Sequence, residues 1–210
     1  MTKIVLFGDS HGRANFHMIR WPKADIAACV GDFSTFGNEL DTIAFIEEYK
    51  ELPYKYKILV AGNHDKLFER AIGFCEDLCK EANIIHLFDR WVDINKIRIY
   101  GTPWQPPFNN WAFNVKEKDL VRCYAKIPKK TDILLTHCPP YGILDQAGNG
   151  YHCGSKALLE RVKQVRPKVH AFGHLHESYG RQKIDGITYI NCSLLDGNYN
   201  ERNEPVLEVV

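Results

Sequence analysis

Lys57-Ile58-Leu59-Val60-Ala61-Gly62-Asn63-His64-Asp65 decides how this chain reads: a run suited to a buried strand passes straight into a glycine and three polar side chains. The same pattern returns four times. Lys3 to Phe7 ends at Gly8-Asp9-Ser10-His11, Ile26 to Val30 at Gly31-Asp32, Ile133 to Leu135 at Thr136-His137, and Val169 to Phe172 at Gly173-His174-Leu175-His176. Runs of about 4 to 8 β-prone residues bounded by Gly and polar residues read as buried strands. Five strands therefore deliver Asp, Asn or His at their C-terminal ends.

Helical patterns lie between them. Leu40, Ile43 and Ile46 recur at one-face spacing in Asn38 to Lys50, and Ser155 caps the segment Lys156 to Val165 before Pro167 stops it. Strands alternating with helices imply an α/β layered fold. Ile84 to His86, Trp91 to Ile94 and Ile97 to Tyr100 are short and closely spaced, as are Tyr179 to Ile184 and Ile187 to Asn191 around Asp185-Gly186. These read as antiparallel hairpins, so the expectation is a mixed sheet, or two stacked sheets with helices outside. With 210 residues, no repeat and no linker, residues 1–210 read as one domain.

Composition narrows the function by exclusion. Hydrophobic residues at 45% and charged residues at 25% argue against disorder and small disulfide scaffolds. The formal charge of +1 gives no field that would draw the whole molecule to polymeric nucleic acid or acidic lipid. Lys126, Lys129, Lys130, Arg161, Lys163, Arg166 and Lys168 accordingly read as solvated faces. Ile26 to Val30 is the longest unbroken apolar run, against about 18 residues for a membrane span and about 7 to 15 for a signal peptide. Seven cysteines, an odd number placed in strands and helices, suit reduced thiols in a cytoplasm. Among them Cys75 and Cys79 share a helix face and read as small buried residues.

In open α/β sheets the working residues gather beyond the C-terminal strand ends. Here that edge would hold Asp9, His11, Asp32, Asn63, His64, His137, His174 and His176. Oxygen and imidazole donors without a thiolate suit manganese, iron, nickel or zinc, and they outnumber what one ion needs. Two divalent ions roughly 3.5 to 4 Å apart orient a phosphoryl group and activate a water, provided a carboxylate bridges them. Asp9 and Asp32 are the plausible carboxylates, and two dications against them leave about +2, an attraction for phosphate. Gly8, Gly31, Gly62 and Gly173 let the backbone turn and let ligands approach a shared ion.

Asp9-x-His11, Gly31-Asp32, Gly62-Asn63-His64-Asp65, Thr136-His137 and Gly173-His174-x-His176, in this order, resemble the motif set of the calcineurin-like metallophosphoesterases. Gly101 to Pro106, Asn110 to Asn114 and Thr136 to Asp145 resemble a small subgroup that includes the animal brain metallophosphoesterase-domain proteins. The resemblance implies an α/β fold with a two-sheet β-sandwich of mixed strands flanked by helices and a metal site at the C-terminal strand ends. It also implies two divalent transition metal ions, with manganese favoured over iron, zinc or nickel. Asp9, His11 and His176 would bind one, Asn63, His137 and His174 the other, and Asp32 both. A bridging hydroxide would attack phosphorus, His64 would stabilise charge or protonate the leaving oxygen, and Asp65 would orient the His64 ring. The expected activity is hydrolysis of small phosphodiesters such as cyclic nucleotides. The alternatives are a phosphomonoesterase, a nuclease, or a non-catalytic metal-binding scaffold.

Outside the motifs, His17, His86 and His170 read as structural, whereas His152, in the loop Gly148 to Gly154, is a candidate substrate contact. Trp104, Phe108, Trp111 and Phe113 cluster among Pro103, Pro106 and Pro107, which exclude a regular helix or central strand. Two readings stay open for this loop: a cover on a sheet edge, or a platform of Trp104, Phe108 and Trp111 on which a nucleobase or aryl group stacks.

Overall fold

The computed structural model describes all of residues 1–210. In each central strand alternate side chains point to opposite faces, and both faces are apolar, so each sheet has two surfaces to bury. The first sheet has the order β11-β1-β2-β3-β4, formed by Val206–Val209, Lys3–Phe7, Ile26–Cys29, Tyr56–Leu59 and Ile84–His86. The second has the order β5-β6-β7-β8-β10-β9, formed by Arg90–Ile94, Ile97–Thr102, Ile133–Thr136, Val169–Phe172, Ile187–Asn191 and Gly180–Ile184. β1 to β4 run parallel in one sheet and β6, β7, β8 and β10 in the other; β11, β5 and β9 are antiparallel edges.

Ile4, Leu6, Ile26, Ala28, Ile58 and Val60 of the first sheet meet Ile99, Ile133, Leu135, Val169, Ala171 and Ile190 of the second in the central core. The opposite face of the first sheet, with Val5, Phe7, Ala27 and Cys29, packs on helices α1 (Glu39–Glu51), α2 (Lys66–Arg70) and α3 (Ile72–Glu81). Cys75 and Cys79 are buried there, as expected of small residues on one helix face. The outer face of the second sheet, with Tyr100, Leu134, Phe172 and Tyr189, packs on α4 (Glu117–Ala125) and α5 (Lys156–Val165). The result is four layers, helix, sheet, sheet, helix, in an α/β two-sheet sandwich of mixed strands. No helix is long and apolar enough to cross a membrane.

Two local expectations need correction. Ile84–His86 forms no hairpin; it pairs parallel with β3, because α2 and α3 carry the chain back over the sheet between them. The true hairpins turn at Asn95-Lys96 and Asp185-Gly186, where both central residues have positive φ. Helix α1 begins as expected, with the Asn38 side chain accepting from the Asp41 amide at 2.9 Å. Its buried stripe, however, is Thr42, Phe45, Ile46 and Tyr49, and Leu40 is 80% exposed. The two large aromatics bury more area than Leu40 could, so they set which face turns inward.

His170, on the outer face of β8, is fully buried, with Nε2 2.9 Å from Thr136 Oγ1 and Nδ1 without a partner. Burial pushes its pKa down to about 3, below the value near 6.5 expected for an unfolded chain. The unfolded state therefore takes up the proton first, and this stabilising difference is complete above about pH 6.5 and is lost as pH falls towards 3. Urea unfolding of His170→Gln should accordingly lose about 2 kcal/mol less than the wild type between pH 7 and pH 4.5. Parallel stability curves for the two proteins would contradict a neutral buried ring.

Candidate metal centre

Parallel strands β1, β2 and β3 and, in the other sheet, β7 and β8 all finish at one edge of the sandwich, so their polar continuations converge. Asp9, His11, Asp32 and His174 all have φ between 48° and 70°, a left-handed backbone that costs these non-glycine residues energy. Hydrogen bonds hold them there. Asp9 accepts from the His174 amide at 3.0 and 3.1 Å, and Ser193 Oγ lies 2.8 Å from Asp9 Oδ2. Asp32 Oδ1 accepts from the His64 amide at 2.7 Å, which leaves Oδ2 free to face the cleft.

Around Asp32 Oδ2 stand three imidazoles, with Nε2 of His137 at 3.3 Å, of His11 at 3.8 Å and of His64 at 4.0 Å. His137 donates from Nδ1 to the Val30 carbonyl at 2.9 Å, so in the neutral ring the Nε2 lone pair points at Asn63 Oδ1, 3.0 Å away, and at Asp32. Acceptors aimed at one another repel unless a positive charge lies between them. Asp9, His11 and His176 form one group with donor atoms within 4.8 Å of each other; Asp32, His137 and His174 form a second. Burial of His137 disfavours its charge, but Asp32, with Asp9 further off, outweighs this and raises its pKa to about 9. Burial keeps His11 down to about 4 and His174 down to about 3, neutral donors both. Burial alone would raise Asp32; His137, then His11 and His64, hold it well below the usual carboxylate range. This set of two carboxylates, an amide oxygen and imidazoles fits divalent transition ions, for which His137 would give up its Nε2 proton.

The chain matches the model of the calcineurin-like phosphoesterase family over residues 2–178, a span that contains every one of these donors. It belongs to that family. This phosphoesterase is 35% identical over 232 residues to metallophosphoesterase domain-containing protein 1 of Homo sapiens, covering 98% of this chain and 70% of that protein. It is 34% identical to a UPF0046 protein of Caenorhabditis elegans, covering 98% of this chain and 59% of the relative. Its fold is shared with the crystal structure of TT1561 of Thermus thermophilus, at a TM-score of 0.63 and 13% identity, over 90% of this chain and 88% of that one.

In the phosphoesterase cleft, of about 220 Å³, Asp32, Asn63, His64, Phe108 and His174 share the wall with Cys153, Glu177 and Tyr199. Asp65 does not orient the His64 ring as expected. Buried beneath the site, its carboxylate accepts from the amides of Gly62, Asp32 and Ser34 at 2.7 to 3.0 Å and from Ser34 Oγ at 2.8 Å. It ties the loop of Asp32 to the loop of Asn63, while burial and the Asp32 charge push its carboxyl up. The His64 ring is oriented instead by the Thr35 carbonyl, 2.6 Å from Nδ1. His152 turns from the cleft to Asp145 Oδ1 at 2.7 Å, because the fully buried Asp145 needs donors. Trp104 donates to the Asp89 carboxylate and packs on Phe88 and Phe113, so it supports the loop from below. Trp111 lies against His64 and is off the cleft wall; Phe108 alone of the three expected aromatics lines it.

Tyr199 and Glu177 join the cleft without being marked by the motif reading. Tyr199 sits 5.1 Å from the His11 ring and 4.8 Å from the His176 ring, placed by a turn in which Asp196 accepts from the amides of Asn198 and Asn200. Nothing in its sequence neighbourhood relates it to the motifs. Glu177 directly follows His176, and that adjacency is the signal that could have found it.

Two glycines are fixed by contact. A Cβ on Gly62 would lie 2.3 Å from Asp32 Oδ1, and one on Gly173 would lie 2.1 Å from Asp9 Oδ2. Gly173→Ala should therefore displace Asp9, destabilise the fold by about 1 to 3 kcal/mol and lower bound metal. As control, Gly73→Ala, with open space around its Cβ in α3, should stabilise by about 0.5 to 1 kcal/mol. Denaturant titration and elemental analysis of both variants check this.

Proposed function

We propose that this phosphoesterase is a dinuclear metal-dependent phosphodiesterase acting on small phosphodiesters such as cyclic nucleotides. The observation that carries the reading is Asp32 Oδ2, which belongs to the donor group with His137 and His174, reaches His11 of the other group, and has three imidazole nitrogens within 4.0 Å. Asp9, His11 and His176 would hold one ion, Asn63, His137 and His174 the other, and Asp32 would be shared; a mixed oxygen and imidazole set without thiolate suits manganese, iron, zinc or nickel, of which manganese is the ion proposed. Bound there, two such ions supply positive charge for the phosphoryl oxygens and lower the pKa of a coordinated water.

The side chains supply the rest. Because His64 keeps an N–H on Nδ1 for the Thr35 carbonyl, Nε2 is the atom that faces the cleft, and in the doubly protonated ring it would give its proton to the leaving oxygen and leave a neutral imidazole. Phe108 and Tyr199 offer apolar surface to the organic part of the substrate. Charge separates diesters from monoesters. A phosphodiester carries one negative charge and a monoester close to two at neutral pH. Glu177 is on the cleft wall, whereas no lysine or arginine is, so the second charge is disfavoured. The seven cysteines are all unpaired, which supports residence in a reducing compartment such as the cytoplasm.

Chelation followed by desalting should abolish hydrolysis of bis(4-nitrophenyl) phosphate, and manganese should restore it. The diester should exceed 4-nitrophenyl phosphate in kcat/KM by about 10-fold or more, about 1.4 kcal/mol of discrimination. Full activity in protein shown by elemental analysis to be metal-free would sink the metal-dependent reading; preference for the monoester would sink the diesterase one.

A further inference from the structure

We propose that Trp111 is a positioning residue for His64, backed by Lys66, and not a surface on which substrate stacks; this rests on the assignment of His64 as proton donor. The indole and imidazole are stacked with centroids 3.9 Å apart and planes at 21°, while Lys66 Nζ stands 4.3 Å from the indole centroid. Trp111 is thus taken up by the imidazole stacked on it and by a cation that the indole attracts, and it does not line the cleft.

The His64 ring needs this support. Its hydrogen bond to Thr35 fixes one edge but permits the ring to swing about that contact. The His11 ring stands perpendicular to it at 4.5 Å and 86°, and Trp111 stacks on its face, so both rings limit its swing. The clamp is built into the backbone: the Ala112 amide donates to the Asn63 carbonyl at 3.1 Å, and the Phe113 amide donates to Glu69 Oε1 at 2.7 Å. Trp111 is thus fastened to the segment that carries His64 and Lys66. A proton donor works within about 2.6 to 3.2 Å of its acceptor, and a misplacement of about 1 Å costs on the order of 10²-fold in rate.

The test is a double-mutant cycle measured with the manganese-loaded enzyme and bis(4-nitrophenyl) phosphate. Trp111→Ala, and Trp111→Leu, which fills the space without a flat face, should lower kcat by about 10- to 10²-fold with KM changed less than about 3-fold. Trp111→Phe should recover most of the loss, and metal content should stay at the wild-type level. In a His64→Ala background, Trp111→Leu should have no further effect. The second readout is the His64 Cε1–H resonance of zinc-loaded protein, shifted upfield by the indole in the wild type and moved downfield in Trp111→Leu. Multiplying losses in the cycle, or a raised KM at constant kcat, would show a substrate contact and overturn the proposal; so would a resonance that does not move. If the resonance moves but His64→Ala retains full kcat, the stack stands and the proton-donor role falls, and the positioning claim falls with it.

Discussion

Asp32→Asn will lose metal and hydrolysis together, with activity reduced by on the order of 10⁴-fold or more, a fraction of the enhancement typical of enzymes. The asparagine can keep the hydrogen bond from the His64 amide to Oδ1, and the backbone bonds of residue 32 to Asp65 and His11 are untouched, so the loop has little reason to move. What it removes is the charge at Oδ2, the atom that faces His137 of one donor group at 3.3 Å and His11 of the other at 3.8 Å. His137, raised to about 9 chiefly against its burial by that charge, then loses the main cause of its basicity. The buried carboxylate of Asp65 loses a like-charged neighbour while His137 loses its ion partner, so the two effects oppose each other and metal-free Asp32→Asn should remain folded, with a cooperative urea transition. Elemental analysis, hydrolysis assays and urea titration on the same preparations check all three. A variant that unfolds, or that keeps its metal, would contradict this account of Asp32.

His64→Ala is the contrasting case: kcat should fall by about 10² to 10⁴-fold with full metal content, because one positioned proton donor contributes that much. Its Nε2 is 4.0 Å from Asp32 Oδ2, in a third donor group with His11 and Asp32, but its ring is held by a carbonyl and an indole and lies outside the two groups assigned to the ions. Gln is a useful companion, since it keeps polarity and length while removing the transferable proton. Equal loss of metal in His64→Ala and Asp32→Asn would make His64 a ligand.

The four-layer fold and the convergence of Asp9, His11, Asp32, Asn63, His137, His174 and His176 are legible in the sequence because both rest on short-range pattern. Parallel strands buried on two faces read as unbroken apolar runs, and polar residues that end such runs must meet at one sheet edge. Ile84–His86 is a harder case, since three residues carry no mark of strand direction, which is set by the helices before them. Asp65 shows a different limit. Its place beside His64 in sequence suggests contact between the side chains, yet neighbours on a turn diverge, and the buried carboxylate goes to amides 31 and 33 residues away. Trp104, Trp111 and His152 escape the sequence for a similar reason: composition marks a loop as aromatic or histidine-containing but not which way each side chain turns. Tyr199 is brought in by a turn far from every motif, and only the fold reveals it.

The most direct test of a shared two-ion centre is a count. Native mass spectrometry of manganese-loaded protein should find two ions per chain in the wild type, one in His176→Ala, one in His174→Ala and none in Asp32→Asn. A wild type that binds a single ion at saturation, or an Asp32→Asn variant that still binds two, would contradict the dinuclear centre.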